Sequence, residues 1–106
     1  MPPRSHDWTE RLTDGFLIKV TYTALEGKLV GFSVVLIKDD GTNVYDISRY
    51  DTAHGFAHRD VLGRKTGSSS IGKISYNHMP LIDAFRYARA DFKANYTKYD
   101  EDYEKH

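Results

Sequence analysis

The sequence predicts an α+β domain: an antiparallel β-meander of four to five strands with one C-terminal helix packed on a face. Two observations predict it. Apolar residues alternate with polar ones through the first half of the chain, and from Leu81 the spacing changes to three and four. At 106 residues, without repeats or low-complexity segments, the chain suits a single domain over 1–106.

The elements follow in order. Residues 1–14 are polar and proline-containing apart from Trp8 and Leu12, and read as an N-terminal arm or short helical turn. Phe16, Ile18, Val20, Tyr22 and Ala24 alternate with Lys19, Thr21 and Thr23, the pattern of a half-buried strand. Glu26-Gly27-Lys28 is a turn. Leu29 to Lys38 is more evenly apolar and β-branched, as in a central strand. Asp39-Asp40-Gly41-Thr42 is a hairpin turn, because an Asp-Gly pair tolerates positive φ. Asn43 to Tyr50 is a third strand. Val61 to Ser70, rich in Gly, Ser and basic residues, reads as a flexible loop, and Ile71 to Tyr76 as a short fourth or fifth strand. Pro80 suits the start of a helix. Leu81, Ala84, Phe85, Ala88, Phe92 and Tyr96 then form one apolar stripe, so the helix runs to about Lys98 and residues 99–106 are a polar tail.

Composition limits the function. There is no Cys, so thiolate chemistry and disulfides are excluded, and with no signal-peptide pattern the expected location is cytoplasmic. No apolar run reaches the roughly 18 residues of a membrane span. Fifteen basic residues balance fifteen acidic ones, against an all-over basic nucleic-acid binder. The charge is uneven, however. From Arg49 to Lys73 five basic residues face two acids, while Asp100 to His106 holds four acids and one lysine.

The chemistry concentrates in Arg49-Tyr50-Asp51-Thr52-Ala53-His54-Gly55-Phe56-Ala57-His58-Arg59-Asp60. Gly55 permits a tight turn. If the following residues are extended, Phe56, His58, Asp60 and Leu62 face one way and Ala57, Arg59 and Val61 the other. One reading is metal-independent, cofactor-free cleavage of RNA. His54 and His58 act as an acid–base pair, since imidazole exists in both forms near neutral pH. Arg59, or Arg49, clamps phosphate, and Asp51 or Asp60 orients a histidine. Arg49, Arg64, Lys65 and Lys73 extend a basic track for the backbone. A second reading is a non-catalytic module that binds protein or nucleic acid through the sheet and the Arg49–Lys73 surface. A third takes Asp51, His54, His58 and Asp60, spaced D-x2-H-x3-H-x-D, as ligands of a metal-dependent hydrolase. The structural alternative is that these residues serve the turn itself.

The string from Tyr50 to Asp60 resembles a family of small bacterial and archaeal proteins with a Y-D-x-A-H-G-x-x-H-R-D signature. More loosely it is similar to the TumE group of toxins in toxin–antitoxin modules, with Ala57 and Arg59 where that group tends to have Pro and His. The resemblance implies His54, His58, Arg59 and Asp60 as site residues, and a cytosolic ribonuclease-like toxin beside a small antitoxin protein. Homo-oligomers are compatible with this reading.

Overall fold

A computed structural model of the chain describes residues 2–52 and 55–106, with the main chain alone for 67–69. It is α+β: an antiparallel sheet with a helix across one face. The strands are β1 (Arg4–Thr13), β2 (Phe16–Leu25), β3 (Lys28–Asp39), β4 (Val44–Asp51), β5 (His58–Gly63) and β6 (Gly67–Ser75), followed by α1 (Leu81–Lys105). Each strand pairs with the next, in the order β1-β2-β3-β4-β5-β6. The meander is as expected, but the sheet has six strands rather than four to five.

The extra strand is β1, where an arm is expected. It pairs with β2 from Arg4↔Ala24 to Thr13↔Phe16. Its alternation is masked because Glu10 stands between Trp8 and Leu12 among its half-buried positions. The Glu10 carboxylate accepts from Trp8 Nε1 at 3.0 Å and from Arg89 Nη2 at 2.9 Å, and lies 2.8 Å from Lys93 Nζ. A carboxylate is tolerated there because α1 brings its counter-charges. The flexible loop expected over Val61 to Ser70 is also corrected. Most of that span belongs to β5 and β6, whose pairing has an irregularity between Val61 and Gly63. Around a short turn, Gly and Ser do not prevent pairing when the neighbouring strand supplies the ladder.

The hairpin turns follow the local chemistry. Glu26 and Gly27 both have positive φ, at 51° and 81°, which matches the right-handed strand twist in a two-residue connection. Asp40 Oδ1 accepts from the main-chain N–H groups of Thr42 and Asn43 at 2.9 and 2.7 Å, closing the β3–β4 turn.

The core lies between the sheet and α1. Ile18, Val20, Phe32, Val34, Leu36, Ile47 and Tyr50 from the strands meet Ala84, Phe85, Ala88 and Phe92 from the helix. The helical stripe is the expected one, with the half-buried Tyr96 also packed against the core. Non-helical angles at Asn95 (φ −124°, ψ 17°) interrupt the spiral, and the helix then continues to Lys105. The polar tail is therefore a further stretch of helix. Tyr103 is 3% exposed, and its carbonyl accepts from Arg64 N–H at 3.1 Å. Among the described residues no helix is long and apolar enough to cross a membrane.

Candidate functional site

Strands β4 and β5 sort the dense segment onto two faces. Their register pairs Arg49 with Asp60, Tyr50 with Arg59 and Asp51 with His58. Cross-strand partners share a face and neighbours along a strand alternate. Tyr50 packs on Phe92 of α1, with ring centroids 4.9 Å apart, so Tyr50 and Arg59 face the helix. Arg49, Asp51, His58 and Asp60 face the other way, joined by Lys73, which pairs with Asp60 from β6.

On this open face, His58 Nδ1 lies 2.9 Å from Asp51 Oδ1. The carboxylate stands against one ring nitrogen of the imidazole. His58 is 3% exposed with both ring nitrogens enclosed, and the Phe56 ring stands edge-on to it at 6.1 Å. Gly55, with φ of 84°, starts the approach to β5 from the turn, and its N–H donates to Thr52 O at 3.2 Å.

Asp60 is 2% exposed and bridges two cations. Its Oδ2 accepts from Arg49 Nε at 3.0 Å and from Arg49 Nη2, and its Oδ1 lies 3.1 Å from Lys73 Nζ. Burial pushes the Asp60 carboxyl up. The hydrogen bonds and charges of Arg49 and Lys73 outweigh it, and the group stays below the usual Asp range. The hydrogen bond to Asp60 raises Arg49 in turn, against the cost of burial. Arg49 Nε also lies 3.4 Å from Asp51 Oδ2, so the Asp60 group and the Asp51–His58 pair form one network.

The family model described as Domain of unknown function (DUF7718) matches residues 2–106. The chain belongs to the DUF7718 family. No curated protein and no solved structure matches it.

The other expected site residues of this DUF7718 chain fall elsewhere. Arg59 is on the helix side, as its alternation requires. Its guanidinium sits 4.7 Å from the centre of the Tyr99 ring and donates to Ser48 Oγ at 3.2 Å. It therefore does not share a phosphate site with His58, and a cation beside Asp51 is Arg49, at 3.4 Å. Arg64 does not extend a basic track either. It makes a two-point contact with Glu104 at the end of α1, with both distances 2.6 Å, and lies over the Tyr45 ring. Lys65 is exposed beside it, its N–H donating to His106 O at 3.1 Å. His54 lies outside the described residues. Among the described residues, no three His, Asp or Glu side chains gather in a metal-holding group.

Sequence reasoning missed a second polar cluster, on the helix side. Tyr50 donates to Asp91 Oδ2 at 2.6 Å, Tyr99 donates to the same oxygen, and Asn95 Nδ2 donates to Oδ1 at 2.8 Å. Burial, then the hydrogen bond to Asp91, pushes both phenols above the usual Tyr range. The only signal in the sequence was the abundance of Tyr. Asp91 sits in a helix, where a polar residue reads as solvated, and Tyr99 fell in the supposed tail.

Proposed function

We propose that the chain is an RNA-cleaving domain that works by metal-independent acid–base catalysis. The observation that carries this reading is the Asp51–His58 contact beside Arg49 and Lys73. Cleavage of RNA by its own 2′-hydroxyl needs a base for that hydroxyl, an acid for the leaving 5′-oxygen and cations for the phosphate. Asp51 orients His58, whose imidazole is the proton acceptor. His54 is the acid of the pair. Arg49, one of the two arginines the sequence offered for phosphate, takes that role with Lys73, both steered by Asp60. The resemblance to the TumE group extends the reading to a toxin with a small antitoxin partner.

The test is cleavage of a single-stranded RNA in EDTA by wild type, His54→Ala, His58→Ala and Asp51→Asn. Each variant is expected to lose about a hundredfold or more in rate, the usual worth of a general acid or base. Absence of cleavage above background in the wild type, or full activity in both histidine variants, rejects the proposal.

A second reading is favoured by the enclosure of His58 and by the pairing of Arg49 and Lys73 with Asp60. In it the open-face network clamps β4, β5 and β6 together, and the chain is a non-catalytic module that binds protein or nucleic acid. Tight RNA binding in fluorescence anisotropy without cleavage, together with a large loss of stability in His58→Ala, distinguishes it from the first.

A further inference from the structure

We infer that the chain self-associates through β6, joining two copies into one continuous antiparallel sheet. Among the described residues β6 pairs with β5 alone and is an edge of the sheet. The Tyr76 N–H donates to Ala57 O at 2.8 Å, toward β5. Main-chain groups alternate in direction along an antiparallel strand, so those of Lys73 and Ser75 point outward.

The two edges are built differently. β1 carries Arg4, His6, Asp7, Glu10 and Arg11, the charges that keep an edge from pairing. From Ser70 to Tyr76 the single charge is Lys73, whose ammonium is drawn to Asp60. Beside this edge lies an apolar patch. Ile74 and Tyr87 are each 41% exposed, and the half-buried Tyr76 lies between strand and helix, its ring 5.6 Å from that of Tyr87.

The charge pattern selects a second copy of the same strand. In a two-fold antiparallel pair centred on Ile74, that residue meets itself, Lys73 meets Ser75 and Gly72 meets Tyr76. Lys73 and Ser75 are then the pairs that exchange main-chain hydrogen bonds, as their outward direction requires. No like charges are opposed, the two isoleucines close an apolar contact, and each Tyr76 covers the glycine across from it. Centring the pair on Lys73 instead would set two ammonium groups face to face. The favoured register also places the second copy's Lys73 in line with Ser75 and His58 on the open face, roughly 10 Å from His58 across two strand spacings.

Sedimentation equilibrium on the full chain at about 100 µM tests this, a concentration suited to a small edge-to-edge interface. Wild type is expected at twice the monomer mass. Ser75→Lys, which sets like charges opposite Lys73, is expected to raise the dissociation constant about tenfold or more, while Ser75→Glu, which sets opposite charges there, retains the dimer. Circular dichroism checks that both exposed-site variants are folded. A monomeric wild type, or a Ser75→Lys dimer as tight as wild type, overturns the inference. Because the readout is mass, this outcome is independent of any RNA cleavage.

Discussion

Asp51 and His58 are direct cross-strand neighbours, with Asp51 Oδ1 2.9 Å from His58 Nδ1. The contact joins the last residue of β4 to the first of β5, so the same pair closes the hairpin and sets a carboxylate against the imidazole. The two roles separate on substitution. Asp51→Asn keeps the size of the side chain but presents an amide that can select the wrong tautomer. Its expected effect is a rate loss of about a hundredfold or more with a stability change of about 1 kcal/mol. RNA cleavage and urea unfolding of the same sample check the two numbers. A stability loss without a rate loss would assign the contact to the hairpin alone.

Asp60 is the hub of the open-face network, and its two cations are not equivalent. Arg49 is part-buried and makes two contacts, whereas Lys73 is more than half exposed. Removing the buried carboxylate in Asp60→Ala leaves Arg49 without its main partner and is expected to cost about 3 kcal/mol. Lys73→Ala, at the solvent edge, is expected to cost less than about 1 kcal/mol. Urea midpoints of the two variants check the asymmetry. If Lys73→Ala is the more damaging, the hub is misassigned.

Glu10 makes a pH prediction. The hydrogen bond from Lys93 lowers its carboxyl most, burial opposes it, and contacts with Trp8 and Arg89 add to the lowering, from 4.5 to about 2. A group lowered on folding adds stability that is fully present above its unfolded value and is lost as pH falls toward the folded one. Wild type is therefore expected to be more stable than Glu10→Gln at neutral pH. The gap closes as pH falls from about 4.5 to about 2. Thermal melts of both proteins across that window check it, and a gap independent of pH would exclude the charge as its source.

The fold was legible where burial was one-sided and regular. β2 alternates in sequence from Ile18 to Ala24, and the stripe from Leu81 to Phe92 has the spacing of a helix face. It was obscured where a charge faces the core with a partner far away in the chain. Glu10 hides β1 because Arg89 and Lys93 stand some eighty residues on. The site was half legible. Alternation separated His58 and Asp60 from Arg59, as found, but it could not show that Arg49 is the cation on their face, because that follows from the β4–β5 register. Tyr99 and Tyr103 looked solvated among acids. The interruption at Asn95 breaks the simple helical count, and only the packing against Arg59, Tyr45 and Arg64 shows which way they face.

Tyr103 makes the strongest claim about that last stretch of α1. Its ring packs against Tyr45 at 6.3 Å between centroids, and burial raises its hydroxyl above the usual range. Around it the helix end is tied to the sheet. Lys38 Nζ lies 2.9 Å from Asp100 and 3.0 Å from Glu104, and Arg64 holds Glu104 as well. A solvated tail would tolerate the loss of its aromatic ring. A buried one loses its transfer energy and leaves a cavity between β4 and α1, so Tyr103→Ala is expected to cost about 3 kcal/mol. Lys38 and Asp100 are half-buried and Glu104 is exposed, and ion pairs this close to solvent contribute little each, so Lys38→Ala is expected to cost less than about 1 kcal/mol. Urea unfolding of Tyr103→Ala and Lys38→Ala against wild type decides between the two pictures. Equal and small losses would return residues 99–106 to the status of a tail.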